Sequence, residues 1–247
     1  MGDITSTDGR ISVRPATRQG KLGGKAPLGA IQLRGVVAGY GSTPVFSGLD
    51  LDIRPGEFVY LVGPSGAGKS TLLKVLYGTL RPSRGSVVVD GVQVHRLRSW
   101  QTAKIRRRVG SIFQGFELLP HLTALENVVL PLRLAHPRIR DPYAYAVDAL
   151  ELVGLGDKLQ ELPTSLSGGE QQRVAVARAI AHQPRVLLAD EPTGNLDSRT
   201  SAEIMELFRQ LNELGGTVVM ATHDEVVLSR YPARIIRLQP ELLEAAS

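Results

Sequence analysis

The chain has 247 residues, 43% of them hydrophobic and 21% charged, with no cysteine and a formal net charge of +5. A core of ordinary size is within reach, disulfides and thiolate metal sites are excluded, and no run approaches the ~18 consecutive apolar residues of a membrane span. Arg10, Arg14, Arg18, Lys21 and Lys25 against Asp3 and Asp8 place +3 of the net +5 in residues 1–29, so the basic balance does not point to a nucleic-acid surface.

Residues 1–29 hold six glycines and almost no apolar periodicity. They read as a disordered basic tail, either a solvated extension or one weakly attracted to an anionic membrane. No apolar run behind the charges marks a secretion signal. Strand-like runs follow at Ile31–Val37, Leu49–Ile53 and Glu57–Val62. Ser86–Val94 reads as a hairpin, because Asp90-Gly91 suits a type I′ turn. These segments predict an antiparallel β subdomain.

Between the strand Glu57–Val62 and the helical run Thr71–Tyr77 lie Gly63, Pro64, Ser65, Gly66, Ala67, Gly68, Lys69, Ser70 and Thr71. They fit G-x-x-x-x-G-K-[ST] in its required strand–loop–helix setting. Glycines let backbone N–H groups curl around phosphate oxygens, Lys69 brings a mobile point charge to the β/γ-phosphates, and the Ser70 hydroxyl can ligate Mg²⁺. Val109–Phe113 is another apolar run, ended by Gln114, whose amide oxygen can meet Mg²⁺ or a water.

Residues 115–180 change character. Thr123–His136 reads as helix with a break near Pro131, and Asp141-Pro142 opens a second helix ending near Gly154. Leu166-Ser167-Gly168-Gly169-Glu170 starts a third. Its Ser-x-x-Glu is a capping box and could be purely local structure. Capping does not explain two first-turn glycines; close approach of an anion to a helix N-terminus does. A single protomer is not expected to close both glycine segments on one nucleotide, so the pattern predicts a head-to-tail dimer with each Ser167-Gly168-Gly169 completing the other's site.

Val186–Ala189 and Thr217–Ala221 are continuous apolar runs of the kind found in buried parallel strands, with a crossover helix at Ser198–Leu214. Adjacent residues on a strand point to opposite sides, so Asp190 can hold Mg²⁺ while Glu191 faces the attacking water as general base. His223, expected level with Asp190, can hydrogen-bond the γ-phosphate. Phe116, Leu118, Leu119 and Leu122 are expected either to line a groove for a partner helix or to pack the helical subdomain. Arg106-Arg107-Arg108 reads as a solvated helix end.

Six motifs in this order resemble the ABC-type ATPases over residues 30–238: the 63–71 loop as Walker A, Gln114 as the Q-loop, Leu166–Glu170 as the signature, Arg185–Glu191 as Walker B, Asn195-Leu196-Asp197 in the D-loop, and His223 as the switch histidine. The resemblance implies an α/β P-loop NTPase fold with a mixed sheet core, an N-terminal antiparallel β subdomain and an inserted α-helical subdomain at about 115–180, within one ATPase domain of residues 30–247. It further implies ATP and Mg²⁺ as ligands, Tyr40 stacked on adenine, Asp197 at the nucleotide and an ATP-dependent homodimer. Glu191–Asp197 is similar to the branch of FtsE-type cell-division, LolD-type lipoprotein-release and MacB-type macrolide-export ATPases. Leu76–Pro82 and Met220–Asp224 look most like the FtsE type. That implies an FtsX-like permease partner, a place on the cytoplasmic face of the cell membrane and control of septal peptidoglycan hydrolysis. Two departures stand out: the long basic tail, and Leu238-Gln239-Pro240 where Asp-Gly commonly follows the last strand.

Overall fold

A computed structural model describes residues 29–41, 43–113, 115–194 and 196–239. The expectations for the tail, for Gln114 and for Asn195 lie outside the described residues. Antiparallel and parallel pairing both occur, in separate sheets.

The antiparallel sheet joins β1 (Ile31–Tyr40), β2 (Thr43–Ile53), β4 (Arg84–Val89) and β5 (Val92–Gln93) in the order β2-β1-β4-β5. Asp90 and Gly91 both have positive φ, 46° and 74°, as a type I′ turn requires. The Asp90 carboxylate is fully buried and accepts from Gly29 N at 2.7 Å and Arg108 Nη1 at 2.8 Å. A turn residue thereby ties the start of the domain to the strand before the Gln114 segment.

The parallel sheet runs β6-β7-β8-β3-β9, from β3 (Phe58–Val62), β6 (Val109–Ile112), β7 (Val186–Asp190), β8 (Thr217–Ala221) and β9 (Arg234–Arg237). Every residue of β7 and β8 is buried. Their side chains alternate between two cores. Leu187, Ala189, Val218 and Met220 join one apolar cluster, and Val186, Leu188, Val219 and Ala221 the other. Helix α1 (Lys69–Tyr77) and the antiparallel sheet pack on the second face; α5 (Gly168–Ile180) and α6 (Ser198–Glu213) pack on the first.

Helices α3 (Ala124–Ala135) and α4 (Pro142–Leu152) pack with α5 as a helical layer, while α2 (Ala103–Arg106) and α7 (Glu225–Arg230) are short. Thr123 and Asp141 cap α3 and α4 through their side chains. The expected break at Pro131 does not occur. Val128, Val129 and Leu132 are buried around it, and their packing keeps α3 continuous despite one missing backbone bond.

Candidate nucleotide site

Strand β3 delivers the chain to Gly63, where a Cβ would lie 2.4 Å from the Leu238 carbonyl oxygen. Gly68, at φ 89°, closes the loop against Val45 and starts α1. No side chain caps α1, and its first turn has no acidic residue. Its leading amides therefore keep their partial positive charge for an anion. Lys69 Nζ donates to the Gly63 and Pro64 carbonyls at 2.7 and 3.1 Å, so the ammonium is held along the loop that it would leave for a phosphate.

Ser70, in the first turn of α1, lines the same cavity as Asp190 at the end of β7. Burial pushes the Asp190 carboxyl above its usual range, with the nearby Ser70 hydroxyl opposing. A hydroxyl and a single buried carboxylate form a hard-oxygen pair. Mg²⁺ is suited by such a pair, because it takes one or two protein oxygens and fills its octahedron with phosphate and water. Tyr40, at the end of β1, is 52% exposed, and Lys74 Nζ of α1 lies 5.7 Å from its ring centre.

Glu191 departs from the expected strand alternation. Strand β7 ends at Asp190, and Glu191 turns into the left-handed region at φ 51° while its N–H donates to the Ala221 carbonyl at 3.0 Å. The two carboxylates part because the backbone turns between them. His223 Nδ1 lies 2.8 Å from Glu191 Oε1, so the imidazole holds the carboxylate in this structure, where sequence reasoning aimed it at the γ-phosphate. The β7/β8 register explains the meeting: Asp190 pairs with Ala221, two residues before His223.

The second glycine segment opens α5. Ser167 Oγ accepts from Glu170 N at 3.3 Å and Glu170 Oε2 accepts from Ser167 N at 2.8 Å, a complete capping box. Lys158 Nζ reaches Glu170 at 2.7 Å and, with the Ser167 N–H, holds that carboxyl down at about 2. The glycines are a different matter. A Cβ on Gly168 would meet nothing within 4 Å, one on Gly169 only Leu196 and Thr200 at 3.8 Å, and neither has positive φ. The protomer's own packing does not require glycine at either position.

Ser167 and Gly169 share a hollow of about 410 Å³ with Leu196, Asp197 and Thr200, distinct from the cavity of about 810 Å³ that Ser70 and Asp190 line. Ser70, which follows the first glycine segment, and the start of α5 thus line different spaces. Asp197 caps α6, accepting from Arg199 N and Thr200 N at 3.0 Å, so its carboxylate is engaged locally. The expected groove at Phe116, Leu118, Leu119 and Leu122 is not the large opening. Leu118 packs against the core beneath the parallel sheet, and the 810 Å³ cavity is lined instead by residues that include Trp100, Arg106, Leu130 and Leu134.

Two residues of α5 escaped sequence reasoning. Gln172 is buried and donates to the Pro192 carbonyl at 2.7 Å, next to Glu191. Arg178 donates to the carbonyls of Phe116 and Glu117 at 2.7 and 2.6 Å, both in the left-handed region just after Gln114. Burial lowers the pKa of the guanidinium. The one visible signal was a basic residue amid the small apolar run of α5, which periodicity alone does not distinguish from an exposed face. Through these two side chains α5 grips the segments that follow β6 and β7.

An uncapped glycine loop with a lysine folded back on its carbonyls, set beside the Ser70 hydroxyl of α1 and the Asp190 carboxylate at the end of a parallel strand, defines a P-loop nucleoside-triphosphate site. The ABC transporter family model matches residues 46–194. The cell division ATP-binding protein FtsE of Streptococcus pneumoniae is 41% identical over 86% of this chain and 93% of its own length. The lipoprotein-releasing system ATP-binding protein LolD of Bacteroides fragilis is 45% identical over 80% of this chain and 92% of its own. Among solved structures, a dimeric ATP-binding cassette in a post-hydrolysis state with ADP and Pi superposes with a TM-score of 0.79 at 40% identity, covering 85% of this chain and 94% of that one. The chain belongs to the ABC transporter family as its ATP-binding, ATP-hydrolysing subunit.

Proposed function

We propose that the chain is the ATPase subunit of an FtsE/FtsX-like membrane complex, in which ATP closes two copies head to tail and the closure is passed to a permease-like partner controlling septal peptidoglycan hydrolysis. The observation carrying the two-copy site is the pair of glycines at the start of α5, which nothing in their own protomer requires. A γ-phosphate bound to the partner copy's P-loop would need that bare backbone. The dimeric cassette of 40% identity supports the arrangement, and several FtsE relatives support the biological role.

In the bound state Gly63–Thr71 would cradle the phosphates, with Lys69 exchanging loop carbonyls for β/γ-oxygens. Ser70, Asp190 and Gln114 would hold Mg²⁺, which offsets the charge of the phosphates. Glu191 would take the proton of the attacking water, oriented with His223, a role typically worth ~10²–10⁴-fold. Glu191→Gln keeps the shape and loses the base. ATP turnover by this variant should fall by at least about 100-fold with ATP affinity retained; wild-type turnover would reject the assignment.

A second reading, an ATPase for lipoprotein release, draws on the LolD relative. Mass spectrometry of membrane proteins that co-purify with the tagged chain separates the two. An FtsX-like permease upholds the first reading, and a lipoprotein-release permease replaces it with the second. Either partner would hold the chain on the cytoplasmic face of the cell membrane.

A further inference from the structure

Gly115, Phe116 and Glu117 follow one another in the left-handed region, at φ 89°, 61° and 48°, and the Glu117 N–H turns back onto the Gly115 carbonyl at 2.6 Å. Two successive residues with side chains are costly there, and such a conformation persists only where the surroundings hold it. Arg178 of α5 is the holder. Its guanidinium donates to the Phe116 and Glu117 carbonyls at 2.7 and 2.6 Å, and among the described residues no carboxylate forms an ion pair with it. A guanidinium drawn out of solvent without a carboxylate needs such hydrogen bonds, and its planar fork suits two neighbouring carbonyls. Helix and strand meet at the same level: a Cβ on Gly110 of β6 would lie 2.2 Å from the carbonyl oxygen of Ala179, the residue after Arg178. Arg178 thus reaches the segment after β6 from a fixed distance.

The held segment borders Glu191. Gly115 and Phe116 share a hollow of about 10 Å³ with Gln172, Glu191, Pro192 and Leu196, space for a single water. Gln172, earlier on the same helix, steadies Pro192 through its carbonyl. One helix therefore braces both chain segments that enclose the hollow. We propose that Arg178 is a positioning residue for ATP hydrolysis: by holding residues 115–117 against the turn at Glu191, it fixes the orientation and the hydration of the general base. The inference rests on Glu191 being that base. It goes further in tying the base to α5, the helix whose first turn would meet the partner copy's γ-phosphate. Dimer closure and readiness of the base then share one rigid element.

Arg178→Lys keeps the charge and loses the fork. Steady-state ATP turnover of the full chain, with no permease present, is measured for the wild type, Arg178→Lys, Glu191→Gln and the double variant, with urea midpoints alongside. The expected result for Arg178→Lys is a fall in kcat of at least about tenfold, with KM for ATP staying within about twofold. In the Glu191→Gln background the same change should lower the residual turnover by less than about twofold, because a base already lost cannot be misplaced. A merely structural role gives the full loss in both backgrounds. Arg178→Gln, planar but with a single amide donor group, goes through the same cycle and keeps the test decisive where the lysine variant does not fold. Wild-type kcat in the folded Arg178 variants overturns the proposal, as does a rise in KM without a fall in kcat. Wild-type turnover by Glu191→Gln removes the base assignment and this inference together, whereas an undiminished loss in the Glu191→Gln background removes this inference alone.

Discussion

Asp190, Glu191 and Pro192 are consecutive in the chain, and each owes its position to a different constraint. Asp190 is held by the last pair of the β7/β8 ladder, Glu191 by a left-handed turn and His223, and the loop after them by the Gln172 amide on the Pro192 carbonyl. Replacing Gln172 by alanine leaves that buried carbonyl without its donor, which should cost ~1–3 kcal/mol in urea unfolding. It should lower turnover more than ATP affinity, because the loop it steadies carries Glu191 and not the P-loop. Equal loss of both would assign Gln172 a merely structural part. Elsewhere, His182 is half-buried with its Nε2 shut from solvent and unpartnered near His136, and desolvation lowers its pKa from 6.5 to about 4. The unfolded chain therefore binds this proton first as pH falls below 6.5. Stability from the neutral ring is present above that pH and drains between 6.5 and about 4, by up to about 3 kcal/mol. Urea midpoints measured across that range should decline for the wild type and decline less for His182→Phe.

At the scale of elements, the two helices that begin in glycine are built for different work. Helix α1 begins without any capping side chain, whereas α5 has its capping box, reinforced by Lys158 on Glu170. Ser167→Ala should destabilise the protein by ~1 kcal/mol through the lost cap, read as a lowered urea midpoint, with monomer affinity for ATP unchanged. A fall in monomer affinity would place the signature in the protomer's own site. Both helices were legible in the sequence because glycine, hydroxyl and helix start lie within one short segment, as were β7, β8 and the Asp90-Gly91 turn. The turn at Glu191 was not. Strand alternation was the only rule available there; the Glu191 N–H still makes the last ladder bond, to Ala221, and the backbone then leaves the strand through a left-handed φ. Nor could spacing reveal Arg178 on the carbonyls of Phe116 and Glu117, some sixty residues away and brought near only by packing. The continuity of α3 through Pro131 has the same origin: neighbours in space overrode a local preference.

For the whole molecule, the parallel sheet with α1 carries the P-loop and the helical layer carries the signature, and Ser70 of the first and Ser167 of the second line separate spaces within one chain. Uniting them on one ATP takes a second copy, and that union is the account's central claim. Its most direct test is the molar mass in solution, by light scattering, of Glu191→Gln and of Glu191→Gln/Ser167→Arg, each titrated with ATP while nucleotide binding is followed in parallel. The account predicts that ATP doubles the mass of the first, and that the second binds ATP yet stays monomeric. It is contradicted if Glu191→Gln saturates with ATP as a monomer, or if Ser167→Arg abolishes ATP binding by the monomer.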